Sequence, residues 1–408
     1  MGAIWLLAAL GLLLAARFCV RPARTHRAWW VALVATELGH VWAVVSLGVA
    51  GGAAWTASDY RGRLPDALAR LNRDQAGFWP TEATGLSLCV GAGFLALVAA
   101  GLFARPAGSA WRMRGRVAAE LAGVFGGEEV KEGERLWSWS RLWRWPNAGR
   151  LGPVETFADT GAGGLPVDFY RARGLAQGGK TVCVLVVHGG GWDSGDRSQL
   201  AAFNHWLAEH GVAVVAVSYR LAPAHRWPAQ RDDVRAAVAW VRANAERLGV
   251  DADRLVLLGR SAGAQIVAAT AYGETVPGLR AVVALYGCYD LEFVWSIRSE
   301  TDSLNSDKLM KQFMGGGPER EGGAELYRSG SAEKLVHAGA PPTLIMHGAL
   351  DELVWCRHSE RLATALERVG VPHLFVRLPW ATHAGEANLH GPAGQLITGA
   401  VLRVARGL

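Results

Sequence analysis

The chain has 408 residues, half of them hydrophobic, and a formal net charge of +6. This length allows one large α/β domain and an additional region. The positive charge belongs to residues 1–116, which carry 12 Arg and no Lys against 5 acidic residues, whereas the remainder carries 30 basic and 31 acidic groups. A nucleic-acid-binding function is therefore not expected, because the large C-terminal part is almost neutral.

The N-terminal part contains three long apolar segments, at residues 3–20, 28–57 and 83–104. Each meets or approaches the ~20 apolar residues that a bilayer-spanning helix requires. A cleaved signal peptide is the alternative for the first segment, but its start, MGAIW, lacks positive charge and no cleavage site stands out. The sequence therefore predicts a membrane region over residues 1–116 with about three transmembrane helices.

The arginines beside these segments predict an orientation. Four lie at the end of the first segment or just after it, and four follow the third segment. Four others are spread over the longer stretch between the second and third segments. Because positive charge is enriched in cytoplasmic loops, we expect the N-terminus outside and the C-terminal domain in the cytoplasm.

Two ionisable residues, Glu37 and His40, lie within the second apolar segment. Their separation of three residues places them on one face of a continuous helix. Ionisable groups at membrane depth often mark functional sites. For this pair we favour a structural hydrogen bond between helices.

Residues 117–153 form a predicted linker that is rich in tryptophan and arginine. Its Trp residues alternate with Arg in the stretch EGERLWSWSRLWRWPNAGR; they are Trp137, Trp139, Trp143 and Trp145. Such a stretch is typical of a segment at the membrane interface. A linker whose indoles pack on the following domain is an equally good interpretation.

From residue 154 to residue 408, strand-like and helix-like segments alternate. Buried strands are expected at TVCVLVV (181–187) and VAVVAVSY (212–219), and a hairpin at VETFADT and VDFYRARG. Alternation of this kind predicts an α/β fold with a mostly parallel sheet and helices on both faces. The polar stretch at 289–338 is expected to form a small cap.

One turn of this domain has the pattern of a catalytic nucleophile. In LVLLGRSAGAQIVA, a strand runs into Gly259-Arg-Ser261-Ala-Gly263 and a helix follows. Glycines on both sides let strand and helix pack closely and leave the serine exposed at the apex. A structural turn is the alternative, since Gly and Ser are common turn residues.

A nucleophilic serine needs a base and an acid. Asp351 follows the strand TLIMHG and His383 follows the strand HLFVRLP, so the chain order is Ser, Asp, His, as in α/β-hydrolases. The competing residues are Glu352 for the acid, and His358 and His390 for the base. Glu352 is adjacent to Asp351 and remains a candidate for the acid. Neither competing histidine directly follows a strand, so His383 is the better base.

The segment HGGGW, at residues 188–192, offers backbone donors for an oxyanion, and the amide of Ala262 complements them. A phosphate-binding loop is the alternative, but neither GxGxxG nor GxxxxGK[ST] spacing is present. The five cysteines are scattered and show no CxxC spacing. We therefore expect no cofactor, metal site or disulfide framework.

Five motifs together resemble those of α/β-hydrolase esterases of the hormone-sensitive-lipase and BD-FAE-like groups, which include prenylcysteine methylesterase-like and arylformamidase-like enzymes. These motifs are HGGGW, YRLAPAHRWPAQRDDV, GRSAGA, HGALDELV and THAG. The resemblance covers roughly residues 150–408. It implies Ser261 as nucleophile, His383 as base, Asp351 as its orienting acid, and Gly190, Gly191 and Ala262 as oxyanion donors.

The resemblance also implies a scaffolding role for Asp233. Two positions depart from the pattern of many relatives: residue 260 is Arg, and the base loop reads HAGE. We expect both departures near the pocket rim, where they affect the substrate more than the chemistry.

The sequence thus predicts a membrane-anchored serine esterase that acts on a small-molecule or lipid-like carboxylic ester through an acyl-enzyme. Amidase or peptidase activity on the same triad is one alternative, because attack and oxyanion stabilisation are shared. A non-catalytic binding module is another, although every triad residue is present. Under the esterase hypothesis, the cap covers an apolar acyl pocket with Phe293, Trp295, Phe313 and Met314.

Overall fold

The computed structural model describes residues 1–74, 81–126, 136–144, 152–157, 164–176 and 178–408. Within these ranges, eight strands form one sheet in the order β1-β2-β4-β3-β5-β6-β7-β8. The strands are β1 (Glu155–Phe157), β2 (Val167–Tyr170), β3 (Thr181–Val187), β4 (Ala213–Val217), β5 (Val250–Arg260), β6 (Leu279–Leu285), β7 (Thr343–Gly348) and β8 (His373–Leu378).

The sheet is mostly parallel, as the sequence predicts. β1 and β2 form the expected antiparallel hairpin, and β2 pairs antiparallel with β4. Every pairing from β4 through β3, β5, β6 and β7 to β8 is parallel. The parallel strands are covered on both faces, which explains why all seven residues of β3 are buried and apolar or β-branched.

Helices lie in the N-terminal part and on both faces of the sheet. The N-terminal helices are α1 (Gly2–Ala16), α2 (His26–Glu37), α3 (Gly39–Asp74), α4 (Thr81–Phe125) and α5 (Trp139–Leu142). Those after β3 are α6 (Ala201–Glu209), α7 (Ala229–Ala243), α8 (Ala245–Leu248), α9 (Ala262–Gly273), α10 (Leu291–Ile297), α11 (Ser306–Met314), α12 (Gly323–Gly330), α13 (Ala332–Leu335), α14 (Arg357–Arg368) and α15 (Pro392–Gly407).

Alternate residues of the strands separate the core into two layers. Cys183, Leu185 and Val187 of β3 pack with residues of α7, α9 and α14. Val182 and Val184 point to the opposite face and pack with residues of α6 and α15. This division follows from the two-residue period of a strand.

Three helices among the described residues are long and apolar enough to span a membrane, at Gly2–Cys19, Gly39–Arg70 and Thr81–Phe125. The second of these begins later than the apolar segment predicted at 28–57. Leu38 leaves helical geometry (φ −114°, ψ 18°) and separates α2 from α3. The prediction that Glu37 and His40 share one face of a continuous helix is therefore wrong.

Directly after the break, α3 lies close to α4. A Cβ atom at Gly39 would lie 2.3 Å from the main-chain oxygen of Phe103, so only glycine allows this approach. His40 lies beyond the break, where its ring packs edge-on against Trp143 with centroids 5.2 Å apart. Glu37 instead contacts the α/β part of the chain, as described below.

Helix α4 joins the apolar helices to the α/β part of the chain. It runs through residue 116, where the sequence predicts the end of the membrane region, and continues to Phe125. Its residues Val117, Leu121 and Phe125 lie in the same buried cluster as Leu396 of α15. The last part of α4 therefore belongs to the core of the α/β fold.

The tryptophans of the predicted linker differ in burial. Trp137 is buried in the cluster shared with α15, whereas Trp139 and Trp143 are exposed. Trp145 lies outside the described residues. One indole thus packs on the following domain, and two are available at the surface.

Candidate active site

Ser261 occupies a sharp turn between β5 and α9. Its backbone angles, φ +52° and ψ −119°, lie in a region that residues with a Cβ rarely adopt. A Cβ at Gly259 would lie 2.2 Å from the oxygen of Gly263, and one at Gly263 would lie 2.3 Å from the oxygen of Val187. Glycine is thus required at both positions, and the serine side chain lines the large cavity above the sheet.

Asp351 and His383 lie on the loops after β7 and β8. His383 Nδ1 is 2.6 Å from Asp351 Oδ2, and the histidine lines the same cavity as Ser261. An ionised Asp351 accepts the proton on Nδ1, which leaves the lone pair of neutral His383 on Nε2. The arrangement is that of an acid that orients a general base.

The environment of Asp351 favours its ionised form. Burial by itself raises the pKa of the carboxyl, but the facing His383 and the hydrogen bonds from His347 and His383 outweigh it and hold the pKa well below its ordinary value. The amides of Leu353 and Val354 also donate to Oδ1, at 2.9 and 3.0 Å. Asp351 therefore remains charged at neutral pH.

Sequence reasoning missed His347 as a second partner of the acid. Its Nε2 lies 3.2 Å from Asp351 Oδ2 and 2.8 Å from the oxygen of Val354, and its Nδ1 lies 2.7 Å from Ser359 Oγ. The residue is the last but one of β7 and is buried. Its position one turn before the acid, in HGALDELV, is the signal that could have identified it.

The three predicted oxyanion donors line the cavity beside Ser261. Gly190 and Gly191 have φ values of +119° and +59°, and a Cβ at Gly190 would lie 2.2 Å from the oxygen of Ser194. No hydrogen bond within residues 178–408 uses the amide N–H of Gly190, Gly191 or Ala262. These amides are available to an oxygen in the cavity.

Two side chains hold the glycine loop. The amide of Gly189 donates to Gln199 Oε1 at 2.8 Å, and Trp192 Nε1 donates to Gln265 Oε1 of α9 at 2.9 Å. The loop is thereby tied to the helix that begins beside the nucleophile. Asp233, to which the resemblance gives a scaffolding role, accepts from the amide of Arg220 and from its Nε, both at 2.8 Å.

Residues 167–366 match the BD-FAE family. The chain is similar to Esterase LipQ of Mycobacterium tuberculosis, with 31% identity over 234 residues that make up 53% of either chain. It is also similar to Esterase LipC of that organism, with 31% identity over 233 residues, 53% of this chain and 56% of LipC. The chain thus spans about half the length of these curated relatives.

Solved structures share the architecture. The hyperthermophilic esterase of Pyrobaculum calidifontis superposes with a TM-score of 0.54 at 22% identity, covering 72% of this chain and 92% of that structure. A bacterial heroin esterase gives a TM-score of 0.53 at 22% identity, covering 72% and 90%. The chain has the α/β-hydrolase fold.

The competing acid and bases occupy other positions in this α/β-hydrolase fold. Glu352 lines the cavity, but the carboxylate bonded to His383 belongs to Asp351. His358 also lines the cavity, but burial lowers its pKa to about 3, and its ring packs against Phe293. His390 is buried just before α15 and does not line the catalytic cavity.

The two departures from the pattern of many relatives lie beside the cavity, since Arg260 and Ala384 of the base loop are among its lining residues. Arg260 and Glu386 are buried, and Arg260 Nε donates to Glu386 Oε1 at 3.2 Å. The hydroxyl of Tyr286 donates to the same oxygen, and its ring packs against His383. The departures therefore compensate each other as one ion pair beneath the base loop, a contact between residues 126 positions apart.

The cavity has a volume of about 1000 Å³, at the upper end of the range for small-molecule pockets. The stretch 289–338 forms four short helices, α10 to α13, and contributes Val294, Ile297, Leu309 and Met310 to the lining. The residues expected to cover the pocket do not line it. They pack elsewhere in the cap and core; they are Phe293, Trp295, Phe313 and Met314.

Proposed function

We propose that the protein is a serine carboxylesterase with a Ser261-His383-Asp351 triad. The observation that carries the proposal is the 2.6 Å contact between His383 and Asp351 in the cavity where Ser261 occupies its strained turn. The similarity to Esterase LipQ and Esterase LipC supports an ester substrate. The chemistry requires neither a metal nor a cofactor.

In the proposed reaction, Ser261 Oγ attacks the ester carbonyl while its proton passes to His383 Nε2. The amides of Gly190, Gly191 and Ala262 donate to the oxyanion, each such donor contributing ~3 kcal/mol to transition-state stabilisation. Collapse breaks the C–O bond of the ester, and His383 returns the proton to the departing alkoxide. Water, deprotonated by His383, then attacks the acyl-enzyme and releases the acid.

We further propose that α1, α3 and α4 anchor the enzyme in a membrane with the catalytic domain in the cytoplasm. The support is the length and apolar composition of these helices together with the distribution of arginines described above. An anchored catalytic domain suits a lipid-like ester. The membrane and a small-molecule or lipid-like ester are thus its proposed partners.

Hydrolysis of p-nitrophenyl esters from acetate to palmitate by detergent-purified full-length protein tests the activity. We expect Ser261→Ala to lower kcat by at least ~10³-fold, because no other group can form the acyl-enzyme. The variant should also lose covalent labelling by a fluorophosphonate. Ser296→Ala, an exposed serine on α10, is the control and should retain both activity and labelling.

Two outcomes contradict the proposal. One is full activity of Ser261→Ala, and the other is a wild-type protein that is inactive on every ester. In the second case, turnover of matched amides would indicate the amidase alternative, and absence of turnover together with absence of labelling would indicate a binding module.

A further inference from the structure

Helix α2, between the first two candidate membrane helices, contacts the loop that carries the catalytic base. Trp29 Nε1 donates to the main-chain oxygen of His383 at 3.1 Å, and the indole is buried. Trp29, Trp30 and Leu33 line the same cavity as Ser261. The N-terminal part of the chain therefore supplies one wall of the catalytic cavity.

The C-terminal end of α2 is held by the segment that follows the base. Glu37 Oε2 accepts from the amide of Ala393 at 3.1 Å, and the main-chain oxygen of Glu37 accepts from Asn388 Nδ2 at 3.2 Å. The loop before α2 contacts the cap, where Ser303 Oγ donates to the oxygen of Arg24 at 3.1 Å. Helix α2 is thus attached to the hydrolase domain at both ends.

A continuous apolar cluster connects the candidate membrane helices to the catalytic loops. Its buried members include Ala16 of α1, Leu33 of α2 and Phe103 of α4. Leu353, two residues after the catalytic acid, and Ala384, directly after the base, pack against it. The catalytic edge of the sheet therefore faces the ends of the apolar helices.

The cavity opens beside exposed indoles. Trp30 of α2 is 54% exposed and Trp355 of the acid loop is 46% exposed, and both line the cavity. Tryptophan is favoured at the level of lipid headgroups, where its ring is partly buried and its N–H is hydrated. A cavity wall with two such residues, next to the ends of the candidate membrane helices, suits entry from the lipid phase.

From this arrangement we infer that the substrate is a bilayer-resident ester with a long acyl chain, which enters the cavity laterally between Trp30 and Trp355. The inference rests on the proposed esterase function. Helix α2 guides the acyl chain from the headgroup layer past Leu33 to Ser261. A water-soluble short ester has no need of this route, because it reaches the cavity from the aqueous phase.

The first test compares two substrates with full-length protein in phosphatidylcholine vesicles. For the double variant Trp30→Ser/Trp355→Ser, we expect hydrolysis of membrane-partitioned p-nitrophenyl palmitate to fall at least ~10-fold, since two apolar contacts along the route are lost. The ratio of the palmitate rate to the rate with soluble p-nitrophenyl acetate should fall as well, because the short ester does not follow this route. Trp111→Ser, an exposed residue of α4 outside the cavity, should leave both rates unchanged.

A parallel fall in both rates, or an unchanged rate with palmitate, would overturn the inference. The second test does not depend on turnover. A palmitoyl ester with a diazirine on its acyl chain is photolysed in vesicles that contain the Ser261→Ala protein. We expect adducts in residues 26–34 and 352–358, and adducts confined to the outer faces of α1, α3 and α4 would contradict lateral entry even if the wild type proves to hydrolyse esters.

Discussion

Single residues near Ser261 act through the groups that they hold in place. The hydrogen bonds of Asp351 to His383 and His347 keep the acid ionised and the base oriented. Trp29 adds a hydrogen bond to the main chain of the base itself. Because this contact comes from a residue 354 positions away, it ties the geometry of the base to the placement of α2.

Trp29→Phe retains most of the ring and removes the N–H donor. We expect kcat to fall about fivefold on both short and long esters, corresponding to ~1 kcal/mol for one hydrogen bond, with KM unchanged. A fall in kcat at constant KM is the readout that a purely structural role would not produce. Trp111→Phe should behave as wild type, and a change confined to KM would contradict a positioning role.

At the scale of elements, two helix contacts place α2. The close crossing of α3 and α4 at Gly39 determines where the chain turns back after α2. The N-terminus of α15 binds the carboxyl group of Glu37, whose Oε2 accepts from the amide of Ala393 in the first helical turn. Substitutions at either contact should affect the cavity around Ser261, although the substituted residues do not line it.

Gly39→Ala tests the helix crossing. The added Cβ must displace the main chain of Phe103, and we expect a loss of ~1–3 kcal/mol in stability, as for overpacked cores. Activity should fall as well, because α2 moves with the start of α3. Gly48→Ala on the same helix meets no atom within 4 Å. In detergent, this control should therefore keep the thermal unfolding midpoint and the rate of ester hydrolysis of the wild type.

The contact of Glu37 with α15 predicts a dependence of stability on pH. Burial, with a smaller contribution from the charge of Glu386, raises the pKa of Glu37 to about 8. Between about pH 4.3, the value of an unfolded glutamate, and about pH 8, the folded state holds a proton that the unfolded state has lost. The stabilisation is complete below this window and is lost as the pH rises through it, by up to ~1.4 kcal/mol per unit.

Glu37→Gln removes this titration. We expect the unfolding midpoint of the wild type to fall more steeply from pH 6 to pH 8 than that of the variant. Glu325→Gln, an exposed residue of α12, should keep the wild-type slope. Equal slopes for the wild type and Glu37→Gln would show that this carboxyl is ionised in the folded protein.

At the scale of the whole molecule, the path of the chain determines at which end of the apolar helices each loop lies. The loop before α2 contacts the hydrolase domain through Ser303, and the end of α4 packs against α15 of that domain. The start of α1 is at the opposite end, where a Cβ at Gly2 would lie 2.9 Å from the oxygen of Gly85. Together with the arginine distribution, this predicts a cytoplasmic catalytic domain.

Protease treatment of oriented membrane vesicles checks this orientation. In right-side-out vesicles we expect the hydrolase domain to be protected and an epitope at the N-terminus to be cleaved. In inside-out vesicles the hydrolase domain should be digested instead. The reverse pattern would contradict the orientation, and release of the protein by alkaline carbonate would contradict membrane anchoring.

Local patterns in the sequence were sufficient for much of the fold. The alternation of strands and helices, the turn at Ser261 and the order Ser, Asp, His can be recognised because each depends on residues that are close in the chain. The parallel sheet and its hairpin agree with these predictions. The loops that carry Ser261, Asp351 and His383 meet because the carboxyl ends of parallel strands lie at one edge of the sheet.

The remaining features depend on contacts between residues far apart in the chain. The helix break at Leu38 reflects the crossing of α3 and α4 and the docking of α2 on α15, none of which changes the local apolar pattern. Arg260 and Glu386 each look like an isolated substitution until the fold pairs them. The sequence by itself determined the fold class and the candidate chemistry, whereas tertiary packing alone decided that a helix from the N-terminal region completes the cavity around Ser261.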